Sequence, residues 1–244
     1  MTRRRPAFIP WRSPQAAWCV LLAGIAVASL WSLRAARAAQ LSVAVPAAAL
    51  DNPRAAGPPQ TAVLSGGCFW GVQAVFEHVR GVERVWAGYS GGQASTAEYE
   101  VVSTGRTGHA ESVQITFDPR EITYGQILRV FFSAALDPTE LNRQGPDVGT
   151  QYRSEIFYAD ANQRQIALAY IAQLDRVRVF SGPIVTRVDP LKAFYRAEGY
   201  HQDFLVHNPD DPYIVYNDIP KLENLRKLLP TMYRSQPVLV AANR

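Results

Sequence analysis

Hydrophobic and polar positions divide the chain into three stretches. Residues 16–33 form an apolar run. Residues 40–60 are rich in Ala and Pro, with Pro58-Pro59 near the end, and read as a linker with no core of its own. From residue 61 onward, short runs of strand period alternate with runs of helical period. A strand over 61–65 leads into the Gly66-Gly67 turn. Val72, Val75, Phe76 and Val79 then fall at i, i+3, i+4 and i+7, the apolar face of a helix that Gly81 ends. A strand over 82–89 is closed by Gly91-Gly92. A short helix over 97–102 is followed by a strand over 110–117, stopped by Asp118-Pro119. Ile127, Val130, Phe131 and Ala134 share one face of a helix over 124–135. After a polar loop over 137–151 come a strand at 153–158 and a helix from Asp160, its N-cap, to about 174, with Ile166, Tyr170 and Leu174 inward. A strand at 184–188 and short helices at 198–206 and 221–228 complete the pattern. Strands alternating with helices predict an α/β (α+β) fold, a layer of helices on one sheet.

Composition refines the outer stretches. The 244 residues are 48% hydrophobic and 19% charged, enough apolar material for a core. The formal charge of +4 taken alone points to a nucleic-acid partner, but Arg3, Arg4, Arg5, Arg12, Arg34 and Arg37 all lie in the first 40 residues, which hold no acid. Without them 19 basic residues face 21 acidic ones, a net of −2, so no nucleic-acid partner is expected. A basic start, an apolar run and Ala36-Arg37-Ala38 read as a secretory signal over residues 1–39, either cleaved or kept as a membrane anchor through residues 16–33. The expected location is exported, periplasmic and, if uncleaved, membrane-anchored. The folded domain is then residues 61–235, with a tail at 236–244.

There are two cysteines, Cys19 in the apolar run and Cys68 in the domain. A lone thiol in an oxidising compartment is a liability unless it is buried or used. Cys68 stands at the first turn of a helix, where unpaired N–H groups and the dipole favour an anion, so a depressed thiol pKa is expected. Gly66, Gly67 and Gly71 are read as opening space at the thiol. Phe69 and Trp70 set two rings beside it, suited to a small apolar group such as a methyl. Glu111 shares strand parity with Val113, Ile115 and Phe117. If it faces the core, desolvation raises its pKa and makes it a general acid. Periodicity equally allows a twisted strand end that carries it to solvent.

Four motifs carry a resemblance. Gly-Gly-Cys-Phe-Trp-Gly at 66–71, Gly-Tyr-Ser-Gly-Gly at 88–92, Thr-Gly-Arg-Thr-Gly-His-Ala-Glu at 104–111 and Gly-Pro-Asp-Val-Gly-Thr-Gln-Tyr-Arg-Ser at 145–154 look like those of the A-type peptide methionine sulfoxide reductases. The resemblance spans about residues 63–230 and implies a two-layer α/β plait. It also implies reduction of the S epimer of methionine sulfoxide, free or in proteins, without metal or organic cofactor. Residue by residue, it makes Cys68 the nucleophile and Glu111 the acid. Tyr99 and Tyr152 become the phenols that hold the sulfoxide oxygen, Asp147 a carboxylate acting through water, and Phe69 and Trp70 the methyl pocket. Many members carry later cysteines that resolve the sulfenic acid, whereas no cysteine follows Cys68 here. The one-cysteine subtype is therefore expected, served by an external thiol: a thioredoxin-like protein, a glutaredoxin-like protein or a small thiol.

Other readings are weaker. His109-Ala110-Glu111 lacks the paired cysteines of a zinc deaminase, and Gly66…Gly71 is followed by Val72 rather than the Lys of a phosphate loop. His78, His109, His201 and His207 show no ligand spacing and are expected on the surface or in ordinary hydrogen bonds. A one-cysteine thiol peroxidase would not need the aromatic pair beside the thiol, and a non-catalytic binding module would be indifferent to loss of its sulfur.

Overall fold

The computed structural model describes residues 43–240, which lie within one compact unit. The expected signal or anchor over 1–39, with Cys19, falls outside the described residues. Among the described residues no helix is long and apolar enough to cross a membrane.

Six strands form one mixed sheet in the order β7-β6-β1-β3-β2-β8. They are β1 (Gln60–Gly66), β2 (Val82–Ser90), β3 (Ala110–Phe117), β6 (Ser154–Tyr158), β7 (Arg187–Pro190) and β8 (Phe194–Arg196). All neighbours pair antiparallel except β6 and β7. A two-stranded ribbon, β4 (Arg143–Gln144) and β5 (Asp147–Val148), stands apart within the loop that follows Phe131–Ala135. The helices are α1 (Phe69–Glu77), α2 (Tyr99–Val102), α3 (Tyr124–Val130, continuing as a π turn over Phe131–Ala135), α4 (Ala161–Arg176), α5 (Phe204–His207) and α6 (Ile219–Leu228). Ala62, Leu64, Val85, Ala87, Val113, Ile115 and Ile156 form one face of the sheet and join the apolar sides of the helices in a single core. Val63, Ala110 and Phe157 face the other way, in a small cluster with Leu191 and Phe194. The mixed sheet with helices packed on it is the expected architecture.

Local chemistry explains the well-placed elements. Thr123 and Gln126 form a reciprocal capping box at the start of α3. Asp160 accepts the Gln163 N–H at 2.8 Å and starts α4 where the sequence placed it. Three regions differ from expectation. The last parallel strand forms at Arg187–Pro190 rather than 184–188, and β8 has no counterpart in the pattern. The helix expected over 198–206 is broken, because Asp203 adopts φ 54, in the left-handed region. Only a 3₁₀ turn at Gly199–His201 and the single turn of α5 remain.

The third difference is the linker, which is docked. Val45 is fully buried in the core. Its carbonyl accepts Arg129 Nε at 3.0 Å, and Gln173 brackets the strap by donating to Ala47 O and accepting from Ala49 N, both at 2.8 Å. Asp51 accepts the Gly125 N–H at 2.8 Å and the Thr123 hydroxyl at the start of α3. A segment without strand partners must satisfy its backbone polar groups elsewhere, and long polar side chains on α3 and α4 supply them. At the other end Val238 N donates to Glu77 O and Val240 N to Asp203 Oδ1.

Candidate active site

The antiparallel order brings distant segments to one end of the sheet. The C-terminal end of β1 lies beside the N-terminal ends of β3 and β6, with Leu64 opposite Val113 and Gly66 opposite Ser154. Tyr89, near the end of β2, pairs with Glu111. Cys68 follows β1 as the N-cap of α1, and Tyr152 ends a 3₁₀ turn just before β6. Asp147 sits on β5 and Tyr99 opens α2.

Glu111 faces the core, which resolves the alternative that periodicity left open. It is 2% exposed, and its Oε2 accepts the backbone N–H of Phe69 at 3.0 Å. That N–H is one of the donors a helix start leaves unpaired. Burial pushes the carboxyl up to about 8; the Phe69 N–H pulls it down, Asp147 and Asp218 push it up, and Lys221 pulls it down. Desolvation outweighs the helix terminus, so Glu111 holds its proton at neutral pH.

The expected depression of the Cys68 thiol is corrected by its surroundings. The residue is 8% exposed. Burial first, then the Glu111 and Asp218 carboxylates, push the thiol well above its ordinary range; Lys221 and the Trp70 backbone oppose them. A helix terminus lowers a thiol pKa and burial raises it, and here burial dominates. The glycines also act differently from the expectation. A Cβ on Gly67, at φ +91, would meet the Gln144 side chain at 2.6 Å, and one on Gly71 would meet Asp218 Oδ1 at 2.0 Å. They admit protein side chains rather than leaving open space.

The aromatic residues form a cage. Phe69 is buried, its ring 5.0 Å from His201 and 5.8 Å from Tyr89. Half-buried Trp70 stacks on Phe204 at 3.7 Å and 6°, meets Tyr213 edge-on, and donates from Nε1 to His201 Nδ1 at 3.1 Å. The Tyr99 N–H donates to Glu198 Oε1, and the Tyr89 hydroxyl to Glu198 Oε2, each at 2.9 Å. Burial and the Glu111 charge push the phenols of Tyr99 and Tyr152 up, so both remain donors. Asp147 accepts the Tyr213 hydroxyl. Burial raises its carboxyl while Tyr213 and Lys221 hold it down.

All seven residues singled out in the sequence therefore converge. His201, Phe204, Tyr213, Asp218, Lys221 and Glu198 were not foreseen. Their segments carry only short, broken helices, and nothing in their spacing points to β1 and β3. His78 and His109 sit in ordinary hydrogen bonds and His207 on the surface. A separate cleft of 580 Å³, lined by Arg106, Arg153, Glu155, Arg187, Asp189 and Lys192 among others, contains none of the seven. Its Arg153 and Arg187 are paired with Glu155 and Asp189, a structural network.

A buried thiol at a helix start, a protonated carboxyl bonded to the next residue and an aromatic cage are the parts of a reductive thiol site. The family model for peptide methionine sulfoxide reductase matches residues 60–232. The chain belongs to the peptide methionine sulfoxide reductases. The peptide methionine sulfoxide reductase MsrA 2 of Mesorhizobium japonicum is 58% identical over 187 residues, 77% of this chain and 96% of that protein. The MsrA 2 of Synechocystis is 50% identical over 177 residues, 72% of this chain and 83% of that protein. Among solved structures, the methionine sulfoxide reductase A of Corynebacterium diphtheriae has a TM-score of 0.55 at 35% identity, covering 67% of this chain and 82% of that one. The reduced form of Mxr1 from Saccharomyces cerevisiae has a TM-score of 0.55 at 30% identity, covering 66% and 92%. As a member of this family the protein is an oxidoreductase that acts on methionine sulfoxide.

Proposed function

We propose that this reductase takes the S epimer of methionine sulfoxide, free or in proteins, and works with one catalytic cysteine. The observation that carries the reading is the Glu111–Phe69 hydrogen bond, which holds a proton-bearing carboxyl beside the residue that follows Cys68. The substrate methyl lies against Phe69 and Trp70, and its oxygen faces Glu111, Tyr99 and Tyr152, with Asp147 acting through water. Sulfoxide oxygen is a poor leaving group until protonated. Glu111 gives it a proton as the Cys68 sulfur attacks the substrate sulfur, and the two phenols stabilise the charge on oxygen. The S–S bond so formed breaks as the released hydroxyl adds to the Cys68 sulfur, which frees methionine and leaves a sulfenic acid, and the thiol proton restores Glu111. The substrate sulfur gains two electrons and the Cys68 sulfur loses two.

An external thiol then attacks the sulfenic sulfur, releasing water and leaving a mixed disulfide that a second thiol opens. The absence of any cysteine after Cys68 supports this route. A thioredoxin-like protein, a glutaredoxin-like protein or a small thiol fits equally. The leader pattern in residues 1–39 supports work in an exported, periplasmic compartment, whether the leader is cleaved or serves as a membrane anchor.

The test is epimer-resolved turnover of racemic methionine sulfoxide with dithiothreitol, beside Cys68→Ser. Loss of the S epimer alone, and only with the Cys68 sulfur present, is expected. Consumption of the R epimer, or activity in Cys68→Ser, overturns the reading. Faster turnover of peroxide than of sulfoxide would identify a thiol peroxidase instead.

A further inference from the structure

The space beside Gly71 is filled by an ion pair. A Cβ on Gly71 would lie 2.0 Å from Asp218 Oδ1 and 3.0 Å from Lys221 Nζ. Gly71 is three residues beyond Cys68, on the same side of the first turn of α1. Lys221 Nζ donates to Asp218 Oδ1 at 3.0 Å; the Asp218 side chain is fully buried and that of Lys221 is 13% exposed. Asp218 Oδ2 is buried without a hydrogen-bond partner. Asp218 ends a π turn, Ile214–Asp218, that runs into α6; such turns frequently mark functional positions. Stability does not account for the pair, because desolvation of buried charges offsets much of their attraction.

We propose that the Lys221 ammonium, clamped by Asp218 against the first turn of α1, is the countercharge that stabilises the Cys68 sulfur anion as attack begins. The proposal rests on the reading of Cys68 as nucleophile. The groups that face the sulfur are otherwise acidic or phenolic: Glu111 from β3, Asp218 from the π turn, and the phenols of Tyr99, Tyr152 and Tyr213. Lys221 opposes them, and Asp147 from β5 also faces it. Burial works against the ammonium, but the charges of Asp218 and Cys68 more than restore it, so Lys221 stays protonated. Asp218 sets the position of the ammonium and at the same time weakens its effect on the thiol. Lys221 is thus a positioning residue with an electrostatic output, and the two partners act on Cys68 with opposite signs.

The experiment is the pH dependence of iodoacetamide alkylation at Cys68, read by peptide mass in the full chain. It compares wild type with Lys221→Met, Asp218→Asn and the double variant. An opposite charge at close range moves a titration by a unit or more. Lys221→Met is therefore expected to slow alkylation about tenfold at fixed pH below the midpoint. Asp218→Asn is expected to speed it. The double variant leaves no unpaired buried charge to disturb folding, and it should alkylate more slowly than Asp218→Asn. Shifts of the same sign in both single variants, or no difference between the double variant and Asp218→Asn, overturn the proposal. Wild-type sulfoxide turnover, measured separately, tests the nucleophile reading. If it is absent while the shifts remain opposite, that reading fails and the charge coupling stands.

Discussion

Glu111 on β3 accepts the backbone N–H of Phe69 at the start of α1, at 3.0 Å. The bond fixes the Glu111 carboxyl to the backbone next to Cys68, the acid and the nucleophile of the proposed mechanism. It also sets up a contest. A carboxylate that accepts an N–H at a helix start is stabilised as an anion, whereas burial favours the neutral acid. Burial prevails, and the carboxyl titrates at about 8 rather than its ordinary 4.5.

Replacing this acid should cost rate without costing the fold. In Glu111→Gln the amide oxygen still accepts the Phe69 N–H, but no proton is available for the leaving oxygen. General acids contribute about 10²–10⁴-fold, so kcat for sulfoxide reduction should fall at least about 100-fold with KM nearly unchanged. In wild type the acid form is lost as pH rises through about 8, which predicts an alkaline limb in the rate profile near that value. Steady-state kinetics from pH 6 to 9.5 check both points. A change of less than a few-fold in the variant removes Glu111 as the acid.

The same group makes a stability prediction of definite sign. Between its ordinary 4.5 and about 8 the unfolded chain is ionised at Glu111 while the folded protein holds the proton. The folded state binds more protons there, so stability falls as pH rises through that window. Glu111→Gln escapes the penalty. Its melting temperature should exceed that of wild type at pH 8, by a margin that shrinks toward pH 4.5 and vanishes below it. Thermal unfolding at pH 4, 6 and 8 decides, and an equal margin at all three refutes the assignment of this proton.

How much of this was legible in the sequence follows from where each residue gets its constraint. Cys68, Phe69 and Trp70 lie in a turn with local glycine signals, and Glu111 lies on a strand with clear parity; both patterns are short-range. Tyr99, Tyr152 and Asp147 came only through resemblance, because loops carry no period. Glu198, His201, Phe204, Asp218 and Lys221 come from segments whose shape depends on Asp203 in the left-handed region and on the π turn at Ile214–Asp218. The pull of burial on the Cys68 thiol was invisible too, since a helix start is a local feature and burial is not. The docked strap was missed for a related reason. Its few apolar residues gave no period, and its partners Arg129 and Gln173 lie more than 80 residues away.

That strap should stabilise the domain without touching catalysis. Asp51 accepts from the Thr123 hydroxyl and from Gly125 N at 2.8 Å, next to the capping box of α3. Asp51→Ala removes both acceptors and should cost about 0.5–2 kcal/mol, the range for a lost helix cap. Urea denaturation should show the lower midpoint with an unchanged slope, and sulfoxide turnover should be the same as in wild type. A large loss of activity would show that the strap reaches the site.

The aromatic cage predicts a split between binding and chemistry. Trp70 is held by a stack on Phe204 at 3.7 Å and by the bond from its Nε1 to His201 Nδ1 at 3.1 Å. Phe204→Ala removes the stack but no group that touches the reacting atoms, so KM for methionine sulfoxide should rise several-fold with kcat little changed. Trp70→Ala removes the pocket wall itself and should lower kcat/KM further. Wild-type kinetics in Trp70→Ala would reject the methyl-pocket role.

On the one-cysteine reading proposed above, the oxidised state is itself a prediction. With substrate in excess and no reductant, each molecule can transfer one oxygen to Cys68 and then stops, because no thiol follows in the chain. A burst of one methionine per protein is expected. Cys68 is then trapped as the dimedone adduct of a sulfenic acid, whose rung on the oxidation ladder is reversible. Burial at 8% exposure should protect that acid from further oxidation. Added thiol should restart turnover at a rate that rises with thiol concentration, because attack on the sulfenic sulfur is bimolecular. A thiol-independent second turnover, or a disulfide at Cys68 within the domain, would remove the one-cysteine route.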